Sequence, residues 1–296
     1  MKQKIRFTFL GGDNRQKQAI SILAQDGFRI NVLGWKDILH ENVRIFETLD
    51  MELFDCDVLM LPIPYGNPSG GIHITGLDAD LKLEPLMRNL KSGTVVIFGK
   101  EDEVFSEAAG KFPISCYDIL KEESFSVRNA VPTAEGAIQR AMERTDITLH
   151  KANVLILGYG RIGRVLSGML RGIGSNVTVE ARKNEDMAWI EENGCKAVSL
   201  KELDRVLGTQ DIIFNTVPAM MLDRPRLAKI NPECIIIDLA SHPGGVDFEA
   251  ARDFGIHTGH DLSLPGIVAP RSAARIICQV TREILKRHFQ YDVMGG

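Results

Sequence analysis

Along the first half of the chain, strand-length apolar runs alternate with polar, helix-compatible stretches. Residues 5–10 read as a strand, 15–25 as a helix and 28–33 as a second strand, with Gly11-Gly12-Asp13 turning between the first two. Further strands are predicted at 43–46, 58–61, 94–98 and 113–117. Strands separated by helices favour a parallel sheet covered on both faces, because each crossover helix must bury its apolar stripe against that sheet. The stretch 62–76 is rich in glycine and proline and is predicted to be a long loop. It leaves the carboxyl end of a strand, the edge that lines the ligand crevice in open α/β sheets, so it is expected on an active-site rim. A plain surface excursion is the alternative.

Val131-Pro132-Thr133 is read as the start of a helix reaching residue 144, with Thr133 as N-cap and Glu135 in the first turn, where a carboxylate suits the dipole. This helix is expected to carry the chain into a second domain. From there the rhythm is regular: strand 154–157, helix 162–170, strand 177–180, helix 185–193, helix 201–207, strands 211–215 and 234–239, and a short strand at 255–258. The last long element, 270–288, begins with a proline suited to a helix start and carries one apolar stripe through Ile276, Ile277, Val280, Ile284 and Leu285. It is expected to return toward the first domain. The fold class is therefore α/β, with two Rossmann-like domains, parallel sheets and a cleft between them. The divisions are 1–130 for a flavodoxin-like substrate domain, 131–150 for a linker helix, 151–265 for a cofactor domain and 266–296 for a C-terminal helix and tail packing back on the first domain.

Composition narrows the class. The 35 basic and 39 acidic residues are interspersed, which argues against nucleic acid as the main partner and leaves room for a local basic pocket. Apolar runs are too short to span a bilayer, and the charged opening residues give no export signal, so a cytoplasmic protein is expected. Five separated cysteines, with no C-x-x-C pair, read as free thiols in a reducing compartment. His150, Asp261 and the cysteines make no recognisable ligand set, so no metal is expected.

The strongest motif is Gly158-Tyr159-Gly160-Arg161-Ile162-Gly163, which directly follows the apolar run 154–157 and opens a helix. In that context Gly158 permits a tight turn, Gly160 lets the backbone approach a pyrophosphate, and Gly163 allows close packing of helix on strand, as in Rossmann domains. The next strand decides which dinucleotide. The position where an NAD site places its ribose acid falls at Ala181, followed by Arg182 and Lys183. A small residue followed by two bases suits the 2'-phosphate of NADP(H). A register shift of one residue would instead make Glu180 the ribose acid and NAD the cofactor. Asn215-Thr216-Val217-Pro218 ends the strand nearest the nicotinamide ribose, so Asn215 or Thr216 is a candidate for hydrogen bonds to ribose or carboxamide.

His242 and His260 lie at the expected nicotinamide edge and are candidate catalytic residues, since imidazole passes protons near neutral pH while hydride moves. Loop capping is the competing role for each. Asp13, Arg15 and Lys100 of the first domain, Thr133 and Glu135 of the connecting helix, and Gly244 and Gly245 are candidate substrate contacts.

Taken together, Gly11-Gly12-Asp13-Asn14-Arg15-Gln16, Val131-Pro132-Thr133-Ala134-Glu135-Gly136, the glycine motif, Asn215-Thr216-Val217-Pro218, the run from Asp238 through Ser241-His242-Pro243-Gly244-Gly245, and Leu264-Pro265-Gly266-Ile267-Val268-Ala269-Pro270 resemble the A-subunit family of bacterial dipicolinate synthase. The resemblance implies an NADP-linked oxidoreductase subunit converting 4-hydroxy-tetrahydrodipicolinate to dipicolinate with loss of water and hydride. It also implies a flavoprotein-like B-subunit partner of the same dipicolinate synthase, and a place in the mother-cell cytoplasm during sporulation. The family carries an arginine before its Pro-Gly-Gly turn where this chain has His242, which puts an essential charge at that position in doubt. Homo-oligomerisation stays open. Two other readings compete: an NADP-dependent dehydrogenase of another small carboxylate, and a scaffold subunit that merely binds cofactor.

Overall fold

The structure is a computed structural model and describes residues 5–66, 71–74, 77 and 80–289. The chain divides into two compact units, residues 1–126 with 270–296, and residues 127–269.

In the first unit the chain runs β1 (Arg6–Leu10), α1 (Asn14–Gln25), β2 (Arg29–Leu33), β3 (Val43–Phe46) and β4 (Val58–Met60). A small antiparallel pair follows, β5 (Gly71–Ile72) with β6 (Leu81–Lys82), and then α2 (Leu83–Arg88), β7 (Val95–Phe98), α3 (Glu103–Ala109) and β8 (Ser115–Asp118). The parallel sheet has the order β3-β2-β1-β4-β7-β8. Phe7, Phe9, Ile30, Val32, Val58 and Val95 bury one face under α1, and Leu10, Leu33, Leu59, Val96 and Phe98 bury the other under α2 and α3. Each of these large apolar side chains contributes about 1.5 to 3 kcal/mol when fully withdrawn from water.

The stretch read as one irregular loop is not irregular throughout. Its described part contains β5, and Ile72 and Ile74 are buried in the core under α2. Apolar residues spaced by two in a Gly-rich segment form a short ribbon there, a periodicity masked in the sequence by the turn residues around it. Residues 67–70 and 75–76 of the loop lie outside the described residues.

Helix α4 (Glu123–Arg144) begins well before the predicted start, with Pro132 in its interior. Thr133 is therefore not an N-cap: its hydroxyl donates to the Asn129 carbonyl at 2.7 Å, one turn back. Glu135 lies in mid-helix and is exposed, away from the first-turn dipole. An interior proline costs about 3 kcal/mol in an exposed helix. Burial offsets it here, since Phe125 and Ala130 precede it in the core and Ala134, Ala137 and Ala141 follow.

The second unit continues with β9 (Asn153–Leu157), α5 (Arg161–Ile173), β10 (Asn176–Glu180), α6 (Asn184–Glu192), β11 (Lys196–Val198) and β12 (Ile212–Asn215). Then come α7 (Arg224–Leu227), β13 (Ile235–Asp238), α8 (Phe248–Asp253), β14 (His257–His260) and α9 (Leu264–Val268). Its sheet order is β11-β10-β9-β12-β13-β14, all parallel. Both sheets are thus doubly wound Rossmann-type sheets, with the order reversing beside the first strand of each.

Three element predictions change. Residues 201–207 form no α-helix; two 3₁₀ turns, Leu203–Arg205 and Leu207–Thr209, press Leu203 and Leu207 into the core instead. Edge strand β11 has no counterpart among the predicted elements, because three residues carry too little alternation to register. The last strand is displaced from 255–258: Gly255, at φ +70°, belongs to the preceding turn, and pairing with β13 extends to Asp238↔His260. That shift sets His260 at the strand's carboxyl end.

Helix α10 (Pro270–Phe289) packs against α1, with Ala274, Ile277, Cys278, Val280, Ile284 and Leu285 in the core of the first unit. Residues 290–296 of the predicted tail lie outside the described residues. Among the described residues no helix is long and apolar enough to cross a membrane.

Candidate active site

In the second unit the strand order reverses between β9 and β12, and the chain leaving these strands defines the crevice where doubly wound sheets bind ligands. Leu157 leads into Gly158 at φ +93°, a left-handed turn that a side chain would strain. A Cβ there would also meet Val217 Cγ2 at 2.7 Å and Thr216 Oγ1 at 2.8 Å. Thr216 is itself fixed, its amide and hydroxyl both donating to the Leu157 carbonyl at 3.0 and 2.9 Å. The two loops leaving β9 and β12 are therefore in contact.

Gly160 and Gly163 do different things. A Cβ on Gly163 would fall 2.1 Å from the Gly158 carbonyl oxygen, so helix and turn close on each other through the missing side chain. A Cβ on Gly160 would have nothing within 4 Å. No internal packing requires that glycine, and its open side lies at the start of α5, a helix that no side chain caps. Uncapped amides and positive dipole at a helix start suit a diphosphate. Tyr159 is steadied from the side: the Arg164 guanidinium lies 5.2 Å over its ring and Arg164 also pairs with Asp186 at 2.9 Å. Arg161 is exposed and Ile162 packs on the core.

At the end of β10, Glu180 and Ala181 are both buried, while Arg182 and Lys183 are exposed. Among the described residues, Glu180 Oε1 has no hydrogen-bond partner. Burial pushes the Glu180 carboxyl above the ordinary carboxylate range, opposed by Arg182, the Gly158 amide and Arg226. Desolvation disfavours the charged form here.

The carboxyl ends of β12, β13 and β14 form one polar cluster. Asn215 is fully buried and braced internally, its Nδ2 donating to the Val217 carbonyl at 3.0 Å and to Asp238 Oδ1 at 2.8 Å. Val217 and Pro218 follow it into the loop, with Pro218 exposed. His242 is exposed, and its ring stands 4.8 Å from that of His260 at 78°. His260 Nε2 lies 2.7 Å from the Ala240 carbonyl and so must carry the proton it donates, leaving Nδ1 as the ring's acceptor in the neutral form. Phe248 stacks on the same imidazole at 5.6 Å. The Gly244 amide donates to the Ser241 carbonyl at 2.9 Å and the Gly245 amide to Asp238 Oδ2 at 2.8 Å. Both donors expected to face substrate are thus engaged within their own turn.

Three further candidates sit in the first unit. Asp13 caps α1 by accepting from the Arg15 amide at 2.9 Å. Arg15 is buried, pairs with Asp13 at 2.7 Å and donates to the Ile63 carbonyl at 2.7 Å, so its charge ties the β4 loop to α1. Lys100 follows β7 with an exposed side chain. Asp238 and Asp261, named in the sequence but given no catalytic or binding role there, also belong to this cluster, Asp238 ending β13 and Asp261 following β14. Asp261 is held by Arg144 at 2.7 Å, and Asp238 closes the strand Ile235-Ile236-Ile237. A lone acid ending an apolar strand is the available signal. Among the described residues, no group of three or more His, Cys, Asp and Glu side chains is placed to hold a metal ion.

Comparison with known proteins decides the lineage. Residues 6–120 match the model of the dipicolinate synthase A-subunit N-terminal domain, and residues 126–247 match that of the D-isomer specific 2-hydroxyacid dehydrogenase NAD binding domain. The dipicolinate synthase A-subunit of Bacillus subtilis (strain 168) is 30% identical over 284 residues, covering 95% of this chain and 96% of that one. The chain belongs to the dipicolinate synthase A-subunit family. Crystal structures of this family agree in fold. The Bacillus halodurans protein superposes with a TM-score of 0.88 at 30% identity, over 95% of this chain and 97% of that one. The Bacillus subtilis protein gives 0.88 at 28% identity, over 98% of each. Within this dipicolinate synthase fold, the second unit is a dehydrogenase-type, NAD(P)-binding domain.

Proposed function

We propose that the protein is an NADP-dependent oxidoreductase acting on 4-hydroxy-tetrahydrodipicolinate, which loses water and then two hydrogens to become dipicolinate. The observation that carries the cofactor choice is the end of β10. The residue at the ribose-acid position is Ala181, the neighbouring Glu180 is buried, and the exposed side chains that follow are Arg182 and Lys183. A carboxylate facing a 2'-phosphate would repel it, whereas a guanidinium grips one in bidentate fashion.

The residues present fit a dinucleotide. Gly160 leaves open space at the start of α5, and Thr216 and Val217 close the crevice from β12. Gly158 to Gly163 would hold the diphosphate, Arg182 and Lys183 the 2'-phosphate, and Thr216 to Pro218 the nicotinamide ribose. Bound there, an oxidised nicotinamide supplies a hydride acceptor. His242 and His260 take the proton released as the substrate ring becomes aromatic, with His260 held by the Ala240 carbonyl in one tautomer. Water loss precedes oxidation and conjugates the ring, so this proton transfer needs no strong base. The Bacillus subtilis relative is named as one lettered component of a synthase, which supports a second component as partner in turnover.

The test is dipicolinate formation and cofactor reduction by the purified chain, with and without its partner, from 4-hydroxy-tetrahydrodipicolinate and NADP⁺. Turnover coupled to cofactor reduction is expected. Dipicolinate formation that persists in a Gly160→Ala protein unable to bind NADP⁺ would assign the chain a scaffold role instead.

A further inference from the structure

The polar cluster at the ends of β12, β13 and β14 is organised by one buried side chain. Asp238 has no exposed surface. Its Oδ1 accepts from the Ala240 amide at 3.0 Å and from Asn215 Nδ2 at 2.8 Å, and its Oδ2 accepts from the Gly245 amide at 2.8 Å. Its own carbonyl accepts from the Asp261 amide at 2.8 Å.

These contacts form a relay to the histidines. The Ala240 backbone is held on both sides, its N–H by Asp238 at 3.0 Å and its carbonyl by His260 Nε2 at 2.7 Å. The Gly245 contact closes the turn that carries His242 back over β13, and Gly244 makes room for it. A Cβ on Gly244 would fall 2.6 Å from Asp238 Oδ2. The Asn215 contact extends the brace to the loop after β12, because Asn215 Oδ1 accepts from the Val217 amide at 3.1 Å.

We infer that Asp238 is the positioning residue of the reaction: it fixes the geometry of His242 and His260, and of the loop after β12, without touching substrate or cofactor. The inference rests on the oxidoreductase reading of this edge. All three partners of the carboxylate are N–H donors, and a carboxylate offers acceptors alone. An amide of the same shape must turn its NH₂ toward at least one of those donors whichever way it is flipped. Asp238→Asn is therefore a same-size change that breaks the relay.

The experiment compares wild type, Asp238→Asn and Gly244→Ala, each labelled with ¹³C and ¹⁵N in histidine. Gly244→Ala keeps every polar group, sets a Cβ against Asp238 Oδ2 and strains a left-handed φ of +85° in the same turn, and it carries the test if Asp238→Asn does not fold. Ring signals are followed by NMR, with His40 and His288 of the first unit as internal controls. Hydride transfer to NADP⁺ and NADP⁺ affinity are measured on the same samples with the partner present. The expected result is that the signals of His242 and His260 move, with His260 losing its Nε2–H preference, while His40 and His288 stay in place. The turnover number is expected to fall on the order of 10²-fold, as small misplacements do, and by more than NADP⁺ affinity, which weakens only through the loop after β12. Unmoved His242 and His260 signals in a folded variant, or a wild-type turnover number, would overturn the inference. If wild type itself transfers no hydride, the functional reading fails, and the histidine signals still decide whether Asp238 positions that pair.

Discussion

The main-chain amide of Gly158 donates to the carbonyl of Glu180 at 3.2 Å, joining the glycine turn after β9 to the end of β10. The Glu180 side chain is buried, and its raised proton affinity comes from that burial. The glycine turn and the end of β10 are thus one hydrogen-bonded unit, and under the proposed function changes at either are expected in cofactor binding before they are felt in the fold.

Gly160→Ala separates binding from stability. Its Cβ would touch no protein atom, whereas a Cβ on Gly163 would overlap the Gly158 carbonyl. Thermal unfolding of Gly160→Ala is expected within about 1 kcal/mol of wild type, and calorimetry is expected to show NADP⁺ binding lost. Gly163→Ala is expected to lose both. Equal unfolding temperatures for the two variants would refute this division of roles.

Glu180 gives the apoprotein a pH dependence of known sign. Its folded-state pKa lies above the unfolded value, so between the two the native state holds more protons than the unfolded chain. This contribution is fully present below the unfolded carboxylate value, roughly 4.3, and is lost as pH rises through the folded value. Urea titrations over that window are expected to show Glu180→Gln with a shallower fall in stability than wild type. Parallel curves would place the raised carboxyl elsewhere.

Burial pushes the thiols of Cys56, Cys116, Cys234 and Cys278 up to about 12. At about pH 8 an ordinary thiol is partly ionised and reactive. These four are expected to resist iodoacetamide in the folded protein and to be alkylated promptly in denaturant. Mass spectrometry of tryptic peptides would show the difference, and rapid labelling of any of the four in native protein would contradict it.

Much of the architecture is legible in the sequence. The period of apolar runs carries both parallel sheets, because a strand buried on two faces is apolar along most of its length, as in Val95–Phe98 and residues 235–237. The glycine spacing carries the turn into α5, since its reasons are local: a left-handed φ at Gly158 and a close approach at Gly163. What the sequence conceals depends on tertiary contacts. Pro132 looks like a helix start until Phe125 and Ala130 are seen to be buried before it. Arg15 looks like a free cation until Asp13 and the Ile63 carbonyl enclose it. The Gly244 and Gly245 amides look available until Ser241 and Asp238 claim them, and no local pattern announces a partner several residues away.

Under the proposed function, Arg182 beside a small residue at the ribose position makes this an NADP site. Charge-assisted hydrogen bonds contribute about 1.5 to 3 kcal/mol each, roughly 10- to 150-fold in affinity. Isothermal titration of NADP⁺ and NAD⁺ into wild type and Arg182→Ala measures it directly. Tighter binding of NADP⁺ by wild type, reduced by that factor in Arg182→Ala with NAD⁺ affinity little changed, is the predicted result. Equal affinities of wild type for the two cofactors, or no binding of either, would contradict it.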